Sequence, residues 1–178
     1  MDGRRRCSLR RLEAVDRINV DELRKNEKFI DVVVTAARAA VCTSEAGKRA
    51  ALRNAVLNAA LSGGPDATEQ QLFLSMTDRF AELHLLLLKL FQNAARWRQP
   101  NGASLPQRSN ATAVLGDAFP DAVRREALYA QIWSDLFAAG LVKLPKLENG
   151  PEGDARALKR TTELGDAYLA FIESPLLE

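Results

Sequence analysis

Apolar residues recur at the three- and four-residue spacing of a helix almost continuously from Leu9 to Trp97. Alternating apolar and polar positions, which are typical of strands, are scarce in this stretch. Alanine and leucine, both strong helix formers, dominate it. The pattern therefore predicts an all-helical first half, in which the small alanines between Phe29 and Leu61 let two helices pack closely as a hairpin.

A second helix signal begins after this hairpin. Asp66 and Glu69 have the spacing of a capping box, in which the two side chains bind the free N–H groups of a helix start. One apolar stripe then continues from Leu72 to Phe91, and we expect two helices with a bend near Ala81 rather than one straight helix. The leucine-rich second part of the stripe is apolar almost all round, which indicates burial on several sides.

A polar segment rich in Gln, Pro, Asn, Gly and Ser follows Trp97 and predicts a loop. A short helix is expected around residues 112–119. A longer helix is expected from Asp121 to Ala139, with Pro120 in its first turn. Its inner face would consist of Leu128, Ile132 and Leu136, supported by Trp133 and Phe137.

The chain leaves this long helix through Gly140, which is placed to adopt the left-handed conformation that ends many helices. Residues 141–147 and 155–161 have the character of two short strands, and the Gly- and Pro-containing segment between them predicts a turn. A final helix begins with a threonine cap and contains Gly165, whose lack of a side chain permits close packing. The last third is therefore predicted to be helix, hairpin, helix.

Two motifs in this region resemble a known family: Gly140-Leu141-Val142 after the long helix, and Thr161-Thr162-Glu163-Leu164-Gly165 before the last one. Their order resembles the winged helix-turn-helix domains of bacterial regulators, over slightly more than half the chain. The resemblance implies a mainly α fold, with an N-terminal helical bundle and basic tail at 1–80 packed on a winged-helix-like domain with one small β-hairpin at 81–178. It also implies that the long helix lies in the major groove of DNA and that the hairpin touches phosphate.

Under this resemblance the nucleic-acid-binding residues belong to the long helix and the hairpin. They are Arg124, Arg125 and Gln131 on the helix, with Lys143, Lys146, Arg156, Lys159 and Arg160 around the hairpin. Acidic residues would be repelled by phosphate: on or near the same helix they are Asp121, Glu126 and Asp135, and in the turn of the hairpin they are Glu148, Glu152 and Asp154. Two roles therefore stay open for a non-enzymatic regulatory protein. One is recognition of double-stranded DNA, and the other is a protein–protein interaction or adaptor role without nucleic-acid binding.

Charge and side-chain chemistry narrow the remaining functions. The net charge is +2, and five arginines in the first eleven residues exceed it, so the body of the chain is close to neutral or slightly acidic. His84 is the only histidine, which excludes a catalytic triad or a multi-histidine metal site within one chain. The sequence predicts no catalytic residue, metal site, cofactor or small-molecule ligand. Only a pocket of converging carboxylates would favour an enzyme.

Cysteine content and hydropathy indicate where the protein functions. Cys7 and Cys42 are the only cysteines, so we expect no disulfide framework and a reducing cytoplasmic location. The longest apolar run, Leu85 to Leu88, stops at Lys89, whereas a membrane span takes about 20 apolar residues. No membrane association is predicted. The helical first half leaves a homodimer open as a further partner.

Overall fold

A computed structural model describes residues 19–61, 63–99, 102, 104–106, 110–147 and 159–175 of the chain. Eight α-helices lie in these ranges, and a short 3-10 helix, Ala94–Arg96, follows the fifth. The helices are α1 Val20–Leu23, α2 Glu27–Val41, α3 Ala46–Ala59, α4 Ala67–Arg79, α5 Glu82–Gln92, α6 Ala111–Ala118, α7 Glu126–Ala138 and α8 Glu163–Ile172. The expectation of a mainly α protein is confirmed.

The winged-helix-like domain with a small β-hairpin is wrong as a fold prediction. Within the described ranges the chain forms no strand, and its only β pairings are two isolated antiparallel bridges. One joins Arg98 to Ser104, and the other joins Val142 to Thr161. An isolated bridge holds two segments together at a single point and does not form the ladder that a wing requires.

The Val142–Thr161 bridge occurs where the hairpin was expected. The Lys143 N–H donates to the Arg160 carbonyl at 2.9 Å, and the Thr162 N–H donates to the Leu141 carbonyl at 3.0 Å. Pro145, two residues after Lys143, has no backbone N–H group and so cannot donate the next hydrogen bond of a ladder. Residues 155–158 of the second predicted strand lie outside the described ranges.

The chain divides into two compact units. The first consists of Met1–Glu82 together with Ala170–Glu178, and the second is Leu83–Leu169. The boundary expected from the sequence lies at residues 80 and 81. The unit boundary lies two residues later, and the end of the chain belongs with the first unit.

The first unit is built around α2, α3 and α4, which pack against one another in pairs. Its core combines small alanines, such as Ala36 and Ala55, with the larger Leu52 and Phe73. Phe73 also packs against Phe171 near the end of α8, with ring centroids 5.6 Å apart. The alanines permit close helix packing, as the sequence predicts.

The start of α4 and the change of direction between α4 and α5 were both predicted from the sequence. Asp66 and Glu69 form the predicted capping box, in which the Asp66 carboxylate accepts from the Thr68 and Glu69 N–H groups. Phe80 ends α4 in an extended conformation, with φ −80° and ψ 139°, and α5 begins at Glu82. The expected bend is therefore a true break between two helices. Across the described part of the chain, no helix has the length and apolar character needed to cross a membrane.

Candidate interaction surface

The second unit contains α7, the helix that the sequence assigns to the DNA major groove. α7 begins at Glu126, five residues later than predicted, because residues 120–125 form turns. The Asp121 carboxylate organises these turns by accepting from the Tyr129 hydroxyl at 2.8 Å and from Arg125 Nη1 at 2.9 Å. These two bonds hold the pKa of the Asp121 carboxyl below its usual value. A side chain predicted to start the helix therefore anchors the turn before it.

The buried face of α7 is narrower than the predicted one. Tyr129, Ile132, Trp133 and Leu136 are buried. Leu128 and Phe137, which were expected inside, are exposed to 36% and 40%. The prediction was wrong for these two side chains, because at about 100° per residue they lie roughly 180° apart, at the two edges of the buried face.

The outer face of α7 carries no cation. Its only charged residues are Glu126 and Asp135, so the helix is net negative. Gln131, predicted to contact DNA, donates instead to the Asp135 carboxylate at 2.8 Å. The other exposed positions are small or apolar; they are Ala127, Leu128, Ala130, Ser134, Phe137 and Ala138. Since duplex binding depends on Lys and Arg at the phosphates, this face is poorly suited to a major groove.

An exposed apolar surface lies at the C-terminal end of α7. Phe137 follows Trp133 by one helical turn on the same side of the helix. The Trp133 indole N–H donates to the Leu144 carbonyl at 2.9 Å, which brings residue 144 to this side as well. Leu144 is 41% exposed, and Lys143 and Lys146 beside it are exposed too. We call the four residues Phe137, Lys143, Leu144 and Lys146 the Phe137 patch.

Buried aromatic packing fixes Trp133, the residue that binds the Leu144 carbonyl. Trp133 meets Phe91 edge to face, with ring centroids 5.2 Å apart and planes at 84°. Both rings are almost fully buried, so the indole that binds the Leu144 carbonyl is held by a packed aromatic pair. Neither Phe137 nor Leu144 was predicted from the sequence as a binding residue. Phe137 fits the helical spacing of the buried residues 129, 132, 133 and 136, so the apolar pattern gives no signal that its side chain is exposed.

The predicted basic residues lie in separate places. Arg124 is exposed, and Arg125 pairs with Asp121, just before the first turn of α7. Lys143 and Lys146 follow the last turn. A helix of 13 residues is about 20 Å long, so these two groups are at opposite ends of it.

The remaining predicted contacts are occupied within the fold or lie outside the described ranges. Lys143 Nζ donates to the Lys159 carbonyl at 3.5 Å, so the bridge brings these two residues together. Lys159 pairs with the Asp166 carboxylate. Arg160 is buried with its guanidinium 5.5 Å from the Phe91 ring centroid, and this burial lowers its pKa. Arg156 belongs to the part that the structure does not describe.

Asp166 is the centre of a polar cluster at the start of α8. Besides Lys159, its carboxylate accepts from Thr161 Oγ1 at 2.7 Å and from Gln92 Nε2 at 3.3 Å. Burial would raise the pKa of Asp166, but these bonds outweigh it and hold the pKa below its usual value. The cluster joins three chain segments of the second unit, which is a structural role.

The described residues contain one histidine, His84, and one cysteine, Cys42. His84 Nε2 lies 3.4 Å from Asp135 Oδ2, and the histidine is buried. No group of three or more His, Cys, Asp or Glu side chains in the described ranges is arranged to hold a metal ion. Cys42 is an exposed free thiol at the end of α2. The Phe137 patch is the candidate interaction surface of the second unit.

The whole chain was compared with known families, curated proteins and solved structures. No protein-family model, curated protein or solved structure matches the chain.

Proposed function

We propose that this protein is a non-enzymatic interaction module that binds an apolar segment of another protein at the Phe137 patch. The supporting observation is that Phe137 and Leu144 expose 40% and 41% of their surface, while Trp133, one turn before Phe137, binds the Leu144 carbonyl. Large exposed apolar side chains with a polar rim are typical of protein docking sites. Lys143 and Lys146 supply that rim, so the preferred segment carries acidic residues beside its apolar ones.

The packing beneath the patch supports docking without rearrangement. Trp133 is fixed by its bond to the Leu144 carbonyl and by its contact with Phe91. A partner would therefore meet a preformed surface and pay little entropy to order it. Aromatic anchors in such surfaces commonly dominate binding energy, and Phe137 is the aromatic residue of this patch.

Duplex DNA binding is the second candidate function, and a specific observation favours it. The Val142–Thr161 bridge brings Lys143 and Lys159 together, and Lys146 is exposed nearby in sequence. Such a site would use lysines after α7 and not the helix itself, which carries no cation. The two candidates differ in what they require, since one needs Phe137 and the other needs the lysines.

A cytoplasmic location is part of the proposal. Cys42 is an exposed free thiol, and exposed thiols persist in reducing compartments. A partner for the Phe137 patch would then be another cytoplasmic protein.

Site-specific photo-crosslinking in the source cells tests the protein-binding proposal. A benzophenone amino acid placed at Ser134, an exposed position one turn before Phe137, should yield an adduct of defined mass. The same amino acid at Gln71, exposed on α4, should not. Phe137→Ser should abolish the adduct, whereas Leu128→Ser, a change of similar exposure on the opposite flank of α7, should keep it. An adduct that survives Phe137→Ser would reject the patch as the binding site.

Fluorescence anisotropy of a labelled random duplex, titrated at several salt concentrations, tests the second candidate. If the Phe137 patch binds only protein, the wild type should not bind the duplex even at low salt. Micromolar binding that weakens steeply with salt and disappears in the Lys143→Glu, Lys146→Glu variant would instead establish a nucleic-acid site. Phe137→Ser is the matched control in that case, because it changes the patch without changing its charge.

A further inference from the structure

The helix α2 in the first unit has apolar residues on two faces. Its inner face, with Val32, Ala36 and Ala39, is buried against the rest of the unit. Ile30, Val34 and Val41 lie on the other side and are exposed to 43%, 50% and 85%. At about 100° per residue these three positions fall within a narrow stripe, roughly opposite the inner face. The stripe has no covering element among the described residues.

The spacing of the stripe is that of a coiled-coil seam. With the half-buried Ala37, the exposed apolar positions are Ile30, Val34, Ala37 and Val41. Their intervals of four, three and four residues match the alternating a and d positions of a heptad. We call these four residues the α2 seam. Glu27 in the first turn and the helix end at Val41 limit it to the length of this helix.

We propose that the α2 seam binds the same seam of a second copy of this chain, with the two helices antiparallel about a two-fold axis. In this register Ile30 lies opposite Val41 of the second copy, and Val34 lies opposite its Ala37. A two-fold interface requires a self-complementary surface. The charged residues that border the seam provide that complementarity.

The spacing places Ile30 and Ala37 at d positions and Val34 and Val41 at a positions. Asp31 and Arg38 are both exposed and directly follow the two d residues, so they lie on one side of the seam. In the antiparallel register Asp31 meets Arg38 of the second copy, and symmetry repeats the pair at the other end. Val33 and Ala40 border the opposite side and carry no charge. A parallel pair would place Arg38 beside Val33 and would lose both ion pairs. Antiparallel helices also align their dipoles favourably.

The size of the seam sets the expected affinity. A helix of 15 residues is about 22 Å long, and one pair of such helices falls at the low end of specific interfaces, below about 1,200 Å² in total. We therefore expect a dissociation constant on the order of micromolar. The dimer lies in the first unit and does not depend on the function proposed for the Phe137 patch.

Sedimentation equilibrium of the full chain over a wide concentration range tests the dimer. The wild type should form a dimer that dissociates on dilution. Val34→Asp should weaken it by at least on the order of a hundredfold, because two buried carboxylates would face the seam. Gln71→Asp adds the same charge at an exposed position of α4 and should leave the dimer intact. A wild type that stays monomeric throughout would overturn the proposal.

A charge exchange tests the antiparallel register. Asp31→Arg alone and Arg38→Asp alone each place like charges opposite one another, and each should weaken self-association by about tenfold. Mixed in equal amounts, the two variants can form both ion pairs and should associate about as tightly as the wild type. Association in the mixture that is no tighter than in either variant alone would reject this register. Circular dichroism of each variant confirms that the helices are retained.

Discussion

Gly165 packs directly against the carbonyl oxygen of Leu141, so closely that a Cβ at this position would overlap the oxygen. The contact joins the first turn of α8 to the segment that leaves α7. Thr162 completes the joint: its Oγ1 donates to the Gly140 carbonyl at 2.6 Å and accepts from the Gly165 N–H at 3.0 Å. Gly140 itself has φ +73°, in the left-handed region. Gly140, Thr162 and Gly165 together form the joint between the end of α7 and the start of α8.

This joint predicts that Gly165→Ala destabilises the protein. The methyl group would push the helix away from a backbone oxygen that cannot move aside cheaply. Overpacking of this kind costs about 1–3 kcal/mol in the free energy of unfolding, although alanine is the better helix former by about 1 kcal/mol. Urea denaturation should therefore show a lower midpoint for the variant.

Gly116→Ala is the matched control for this prediction. Gly116 lies within α6, its φ is not positive, and a Cβ there would meet no atom within 4 Å. We expect this variant to be more stable by up to about 1 kcal/mol, because only helix propensity changes. If Gly165→Ala were stabilising to the same extent, the close contact with Leu141 would be refuted.

The Asp166 cluster makes stability depend on pH in acid. Its hydrogen bonds hold the pKa of the folded protein below the usual value, so the carboxylate contributes stability at neutral pH. That contribution is lost as the pH falls from about 4 through the lowered pKa. Asp166→Asn should therefore be less stable than the wild type at pH 7, by about 1–3 kcal/mol. The difference should shrink in denaturant titrations at pH 3, and a constant difference would contradict the assignment.

The local parts of this fold could be predicted from the sequence because local chemistry decides them. The capping box at Asp66 and the left-handed Gly140 each depend on neighbours within a few residues. The short helix near residues 112–119 was expected within one residue of its true bounds, Ala111–Ala118. In each case the local conformational preference is strong, and no contact with a distant part of the chain overrides it.

The parts that failed depend on partners distant in the chain or on several competing contacts. Two short apolar runs after Gly140 have strand character, yet the described chain pairs them only at Val142 and Thr161. Arg160 looks like a surface cation in the sequence, but the Phe91 ring lies under its guanidinium, 69 residues away in the chain. Periodicity carries no information about such contacts, which is why the candidate surface moved from the basic residues to Phe137 and Leu144.

Tyr129 makes stability depend on pH in alkali. Burial, reinforced by the bond to Asp121, raises the pKa of Tyr129 to about 12. Because the folded pKa exceeds the ordinary value of 10, the stabilisation is complete below pH 10 and is lost as the pH rises toward 12.

Tyr129→Phe tests this alkaline dependence. The variant should lose about 1 kcal/mol at pH 7 through the missing hydrogen bond to Asp121. Its stability should then fall less than that of the wild type between pH 10 and 12. The readout is the difference between the two proteins, because all their other ionisable groups are the same. Parallel curves would show that Tyr129 ionises normally.

Asn58 in α3 caps the end of α8 in the first unit. Its Nδ2 lies 3.2, 2.7 and 2.8 Å from the carbonyl oxygens of Ala170, Phe171 and Glu173. Carbonyl groups in the last turn of a helix lack partners within the helix, so a side-chain donor there satisfies groups that would otherwise be stranded. Asn58→Ala should therefore lower the free energy of unfolding by about 1–3 kcal/mol.

The effect of Asn58→Ala should also be local. Amide hydrogen exchange in the last turn of α8 should become faster in the variant, because this turn loses its anchor and opens more often. Gln71→Ala, an exposed change on α4, should alter stability by no more than about 0.5 kcal/mol and leave the exchange of α8 unchanged. Equal exchange in the last turn of α8 for the wild type and Asn58→Ala would mean that α8 holds its end without Asn58. The stability loss would then have to come from α3 itself, where the substitution removes a half-buried side chain.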